Sequence, residues 1–299
     1  MPPFVIVLND DSTYCLQVEP TPAALMQLAA RGFVFWAGKA IERQGVAHIA
    51  LSGGSTPKAL FELLATEAFA RQVFWERVHV WWSDERDVPA DDKDSNYKLA
   101  HDALLSKVPI PQENVHRVKT ELGAAPAAAA YEAEMLREIA GVDAAALPPH
   151  PSTSSGQVPL ALSHPDHAPG ATIRPRFDLI LLGMGDDGHT ASLFPHSEAL
   201  QEQDRLVVSH FVPKVNMQRI TFTYPLINSA DTVIFLVSGA GKAGTLRSVL
   251  IGDVQPDVLP SQGVMPHGKL LWMVDAAAAA EVAAGPGYPA QEFIYRRAL

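Results

Sequence analysis

Phe177-Asp178-Leu179-Ile180-Leu181-Leu182-Gly183-Met184-Gly185-Asp186-Asp187-Gly188-His189-Thr190-Ala191-Ser192-Leu193-Phe194-Pro195 is the stretch on which the reading of this chain turns. Its apolar run predicts a buried strand. The run stops at glycines, which let the backbone turn sharply and come close to something small. Two carboxylates and a histidine follow at once. In open α/β sheets ligands bind beyond the carboxyl ends of the strands. Acid, base and bare backbone therefore meet where a small-molecule site belongs.

Working outward, apolar runs at 46–51, Val78–Trp82, 233–238 and 270–275 read as further strands, and 205–212, 219–223 and a short piece at 115–118 join them. Between them lie helical patterns. Thr21-Pro22 is an N-cap followed by proline at the first helical position. Leu25, Leu28, Ala29, Phe33 and Trp36 then mark the inner side of a helix. Segments 58–66 and 95–105, and the alanine-rich Ala124–Ala140, read as helices, and another follows the last strand. Strand and helix alternate, which predicts an α/β fold: a doubly wound, mostly parallel sheet in a single domain over residues 1–299. Residues 148–175 break the pattern with prolines, serines, glycines and histidines in no hydrophobic period, and read as a surface insertion.

The bulk properties narrow the function. A formal net charge of −10 argues against a nucleic-acid partner, which needs a basic face. Any phosphate site must then be local, made from backbone N–H groups and a few cations. With Cys15 as the single cysteine there is neither an internal disulfide nor a thiolate metal set, which suits a cytoplasmic protein. The start of the chain shows no signal peptide, no apolar stretch is long enough for a bilayer, and nothing points to an obligate protein partner.

Three further segments carry chemistry. Ser52-Gly53-Gly54-Ser55-Thr56-Pro57 joins a strand to a helix, whose first N–H groups lack intrahelical acceptors and carry the positive dipole end. Gly53, Gly54, Ser55 and Thr56 thus form a candidate phosphate cradle. A plain tight turn with Thr56 as N-cap accounts for the same residues. Asp84-Glu85-Arg86 ends an aromatic strand. Arg86 is the natural anion clamp there, although a solvated charged turn gives the same pattern. Gly239-Ala240-Gly241-Lys242 is too short for a P-loop and has Ala243 where Ser or Thr is required, yet Lys242 can still meet an anion as a point charge.

Gly183, Gly185 and Gly188 fit the dinucleotide spacing G-x-G-x-x-G, but Asp186 and Asp187 would face the pyrophosphate and Pro195 precludes a long helix after the glycines. His189 is suited to proton transfer near neutral pH, and Asp187, two residues before it, is placed to orient the ring. No compact ligand set accompanies His189, so no metal is expected.

Together, in this order, segments 51–57, 83–86 with Ser95-Asn96, 183–195 and 239–243 resemble the family that unites 6-phosphogluconolactonases with glucosamine-6-phosphate deaminases, over about residues 20–275. The resemblance implies a modified Rossmann-like fold without metal or organic cofactor. Its lactonase branch implies hydrolysis of 6-phospho-D-glucono-1,5-lactone, a small-molecule sugar-phosphate substrate. His189 would be the general base and Asp187 its orienting partner. Arg86 would clamp phosphate or support the oxyanion, the latter shared with backbone N–H groups around Gly185–Gly188. Lys242 and Arg219 would stand near the phosphate, and Asp84 near sugar hydroxyls or water. The deaminase branch is the alternative, and a non-catalytic sugar-phosphate-binding protein is another. The deaminase pattern carries a glutamate seven positions after the aspartate of Asp-Gly-His and a tyrosine after Asp-Glu. Here those positions hold Phe194 and Arg86, and both departures favour the lactonase.

Overall fold

A computed structural model describes residues 4–7, 14–141 and 175–283. Strands β1 (Phe4–Val7) and β2 (Tyr14–Glu19) lead into helix α1 (Pro22–Gln44). Then come β3 (Ala47–Leu51), α2 (Ser55–Leu64), α3 (Glu67–Ala70), β4 (Val78–Trp82), β5 (Asp84–Arg86), α4 (Asn96–Ala103) and α5 (Ala124–Ala140). The second half holds β6 (Leu179–Leu182), β7 (Val207–Val212), β8 (Met217–Phe222), α6 (Tyr224–Ile227) and β9 (Thr232–Val237). It ends with α7 (Ala243–Ile251), β10 (Lys269–Asp275) and α8 (Ala280–Ala283).

Seven strands form the main sheet in the order β1-β2-β10-β9-β6-β3-β4, parallel except where β1 pairs with β2. Side chains alternate across it, as the pleat requires. Ile234 and Leu236 of β9 pack with Phe33 of α1, Phe61 of α2 and Ala100 of α4 on one face. Val233, Phe235 and Val237 pack on the other with Tyr131 of α5 and Leu246 of α7. The predicted layers are present: a doubly wound, mostly parallel α/β sheet.

Thr21 caps α1 as its sequence predicts, its Oγ1 accepting from the N–H of Ala24 at 3.1 Å, with Pro22 opening the helix. Four expectations need correction. Residues 205–212 and 219–223 do not extend the main sheet; with β5 they build a separate antiparallel sheet of three strands, ordered β5-β8-β7. The piece at 115–118 is only a bridge between Val115 and Val80. Thr56 does not cap α2, because the helix starts two residues earlier than that cap would place it, at Ser55, with Gly54 as N-cap. Strands β1 and β2, on the β10 side of the sheet, were not anticipated. The proposed insertion at 148–175 lies outside the described residues except for Pro175.

Beneath α5, Trp81 lies flat on His116, with ring centres 3.9 Å apart, and its Nε1 donates to His48 Nδ1 at 3.3 Å. His79 Nδ1 lies 3.0 Å from His116 Nε2, whose other nitrogen meets Glu134 at 2.8 Å. Burial, and after it the neighbouring histidines, push His48 down from 6.5 to about 3. Burial and His116 also lower His79. Between pH 6.5 and 3 the unfolded chain thus binds a proton at His48 that the folded chain refuses. The folded state loses stability as pH falls through that window, with a slope of about 1.4 kcal/mol per pH unit for each such group. Thermal melts from pH 7 to pH 5 are expected to show a falling Tm, and His48→Gln to show a shallower fall. An equal slope in both would rule out this histidine as a source of acid sensitivity.

Candidate active site

The carboxyl ends of β3, β4, β6 and β9 deliver the sequence-predicted segments to one edge of the sheet. After β6 the chain makes a tight turn, in which the Gly185 N–H donates to the His189 carbonyl at 2.8 Å and the Gly188 N–H to the Gly185 carbonyl at 3.1 Å. These two N–H groups are occupied, which leaves less of this backbone for the expected oxyanion support. The turn brings His189 back onto Asp187, with Nδ1 to Oδ1 at 2.5 Å. An ionised carboxylate only accepts, so Nδ1 carries the proton and Nε2 is left as the basic nitrogen. Phe194 stacks on the imidazole at 4.1 Å, its plane tilted by 19°.

Lys214, from the turn between β7 and β8, reaches the other oxygen of Asp187 at 2.5 Å. Burial alone would raise the Asp187 carboxyl. The bonds from His189 and Lys214 outweigh it and hold the group well below the usual carboxylate range. Nothing in the sequence singles out Lys214, because a lysine after proline in a turn looks like an ordinary solvated residue. Lys242 pairs with Asp186 of the same turn, and Thr245 of α7 donates to the Asp186 carbonyl at 2.7 Å. Its ammonium is thus tied to the turn that carries His189.

The acidic strand end is inside the protein. Glu85 is 2% exposed and accepts from the N–H groups of Arg86, Asn96 and Tyr97 at 2.7–2.8 Å and from Ser95 Oγ at 3.2 Å. It closes the start of α4, where N–H groups lack helical acceptors. Burial raises its carboxyl against the pull of those donors. Asp84 accepts from Ser192 Oγ at 2.7 Å on one oxygen and from Asn96 Nδ2 at 3.2 Å on the other. A role for Asp84 toward sugar hydroxyls competes with both bonds. The solvated-turn alternative for this segment does not hold.

Asn96 in turn packs against the candidate phosphate loop. A Cβ on Gly53 would stand 1.8 Å from Asn96 Oδ1, so only glycine fits. Beyond it, Ser55 and Thr56 open α2 and present its first N–H groups.

Arg86 and Arg219 are directly opposed in β5 and β8. Arg86 donates to the Asp94 carbonyl at 2.6 Å. Among the described residues neither arginine forms a carboxylate ion pair, and Arg86 Nε, Arg219 Nε and Arg219 Nη1 are buried without a partner. Burial and then the neighbouring Arg86 lower the Arg219 guanidinium, which still remains a cation at neutral pH. Two such cations lie side by side with donors unused and could hold an anion.

A parallel sheet with this set of strand-end segments points to one group of sugar-phosphate enzymes. The family model described as glucosamine-6-phosphate isomerases/6-phosphogluconolactonase matches residues 20–272, and the chain belongs to this family. It is 42% identical to a 6-phosphogluconolactonase of Nostoc sp. over 268 residues, covering 89% of this chain and 98% of the relative. It is 38% identical to one of Mycobacterium tuberculosis over 269 residues, with the same two coverages of 89% and 98%. Among solved structures, the 6-phosphogluconolactonase from Trypanosoma cruzi superposes with a TM-score of 0.71 at 28% identity, covering 89% of this chain and 96% of that one. A monomeric glucosamine-6-phosphate deaminase, 18% identical with a TM-score of 0.64 over 89% of this chain and 99% of that one, shares the fold.

The crowding at Gly185 makes a test. A Cβ there would lie 2.0 Å from His189 Nδ1 and 2.8 Å from Asp187 Oδ1. Gly185→Ala is expected to push the imidazole off its carboxylate and lower kcat by about 10²-fold, while binding of the phosphorylated product changes little. Unchanged turnover in steady-state assays would show that the His189–Asp187 geometry does not matter.

Proposed function

We propose that this chain hydrolyses 6-phospho-D-glucono-1,5-lactone to 6-phosphogluconate, the ring-opening step of the oxidative pentose phosphate pathway. The observation that carries the reading is the pair Arg86–Arg219, with buried, unpartnered donors, together with a base, His189, whose Nδ1 is already held by Asp187. An anionic sugar with a hydrolysable carbonyl satisfies both halves. The cytoplasm, where a lone cysteine such as Cys15 stays reduced, is the compartment that goes with the reading; among the described residues no helix is long and apolar enough to cross a membrane.

In this mechanism the phosphate rests on Arg219 and the N–H groups opening α2, at Ser55 and Thr56. His189 Nε2 takes a proton from water as the water oxygen bonds to the lactone carbonyl carbon. Arg86 supports the negative charge that develops on the carbonyl oxygen, the kind of stabilisation that is usually the largest single contribution in acyl transfer. The intermediate then collapses, the bond from the carbonyl carbon to the ring oxygen breaks, and the proton on Nε2 passes to that oxygen. Asp187 keeps the ring oriented and stabilises its transient charge. No nucleophilic side chain is required, because the ester is already activated.

Phe194 separates this reading from sugar-phosphate deamination. Its ring covers the imidazole where the deaminase pattern has a carboxylate, so there is no second group to shuttle the protons of ring opening and isomerisation.

The lactone, generated enzymatically in the assay, is expected to disappear well above its spontaneous rate. His189→Ala should lower kcat by about 10²–10⁴-fold, the usual range for general acid–base help. Arg219→Gln should act mainly on KM. Ammonia released from glucosamine 6-phosphate without faster lactone loss would overturn the assignment.

A further inference from the structure

His210 is a basic group that the mechanism above leaves unused. It sits in β7 directly across from Arg219 of β8, which is itself directly across from Arg86 of β5. Residues opposed in register point to the same face of a sheet, so the three basic side chains form one row. The next row holds Asp84 and Thr221 on that same face, and the segment carrying Ser192 packs over it: the Ser192 N–H donates to Thr221 Oγ1 at 3.1 Å and its hydroxyl to Asp84. The row therefore faces the site.

His210 is 3% exposed. Its Nε2 lies 2.7 Å from the Ser192 carbonyl. A carbonyl only accepts, so Nε2 carries a proton, and in the neutral ring Nδ1 is a bare acceptor. That Nδ1 is buried and, among the described residues, has no partner. The unpartnered nitrogens of Arg86, Arg219 and His210 thus all fall in a single cross-strand row. The arginine nitrogens donate and His210 Nδ1 accepts. An anion satisfies all of them only if Nδ1 acquires a proton and becomes a donor as well.

We propose that His210 is a further basic member of the phosphate subsite and takes a proton from solvent onto Nδ1 when a phosphate dianion docks on Arg219, its neighbour in the row. The inference rests on the assignment of Arg219 to the substrate phosphate. Before the anion arrives, the charged form of His210 is disfavoured, first by burial and also by Arg219, against the Ser192 carbonyl and Glu198, which favour it. The charges that bear on the row are Arg86 and Asp84 from β5, Glu85 beside them, Asp94 from the following loop, Arg219 from β8 and Glu198 from the short helical turn at 198–201. Two negative charges placed against Arg219 reverse the balance at His210. Binding is then linked to proton uptake, and phosphate affinity falls as pH rises.

Isothermal titration of the full chain with 6-phosphogluconate at pH 7.5, in two buffers of different ionisation enthalpy, counts the protons taken up. At that pH the free phosphate, with a second pKa of about 6, is already almost wholly dianionic. The wild-type protein is expected to take up a substantial fraction of a proton per ligand, and His210→Gln close to none. The glutamine amide retains a donor for the Ser192 carbonyl, and near-UV circular dichroism reports whether the fold survives. His189 is present in both proteins, so the difference belongs to His210. Imidazole NMR of the wild-type protein supplies a readout without substitution: the His210 ring signals should move to the protonated position when the product is added. Equal proton uptake in both proteins, or His210 signals that stay at the neutral position, would overturn the proposal while leaving the lactonase reading intact. Failure of the wild-type protein to bind the product would sink the phosphate assignment and the proposal together.

Discussion

The buried carboxylates at the end of β4 are the constraint on which the site depends. Asp84 joins two segments that are distant in sequence, with Asn96 on one oxygen and Ser192 on the other. Glu85 fixes the start of α4 through the N–H groups of Asn96 and Tyr97 and accepts a third from Arg86 beside it. Charged groups are rarely buried unless they are paired or hydrogen-bonded, because their loss of hydration must be offset. Here backbone and side-chain donors supply the offset. The result sets the loop at 53–56, the segment that carries His189 and Ser192, and the small antiparallel sheet in one relative position.

That small sheet changes the electrostatics of an acidic protein. The chain as a whole repels anions, yet β5 and β8 place two arginines side by side with donors unused. Like charges in register are unfavourable in an empty sheet. The arrangement makes sense as stored attraction for a ligand, held in place by Asp84 and Glu85 nearby and by the Asp94 carbonyl. Around His189 the opposite holds: Asp187 is shared by His189 and Lys214, and Asp186 answers Lys242. His189 is therefore set in a nearly neutral neighbourhood, while the positive charge is concentrated on the small sheet, where the proposed phosphate would sit.

Much of this was legible in the sequence. Strand ends followed by glycine, as at Leu51-Ser52-Gly53 and Leu182-Gly183, are local signals, and they located two of the three segments of the candidate site. Asp84-Glu85-Arg86 was read as a candidate site segment at a strand end, with a solvated turn as the alternative; that it is a strand of its own was not legible, because three residues have no period to read and its partner β8 lies more than a hundred residues away. The segments at 205–212 and 219–223 were recognised as strands, but apolar patterning does not tell which sheet a strand joins. Val115 failed as a strand because a single bridge to Val80 is all the pairing it has. Lys214 and His210 were invisible for another reason. Their importance comes entirely from what lies opposite them, Asp187 in one case and Arg219 in the other.

The contact between Gly53 and Asn96 has a consequence for how such a chain can change over time. The two positions are 43 residues apart in number and belong to different loops, yet they occupy one shared volume in which even a methyl group would overlap the amide. Asn96 cannot retreat, because its Nδ2 also holds the carbonyl and carboxylate of Asp84. A side chain at 53 is therefore admissible only together with a smaller residue at 96 and a new partner for Asp84. Substitution by single steps passes through a strained intermediate, so the three positions drift as a unit or not at all.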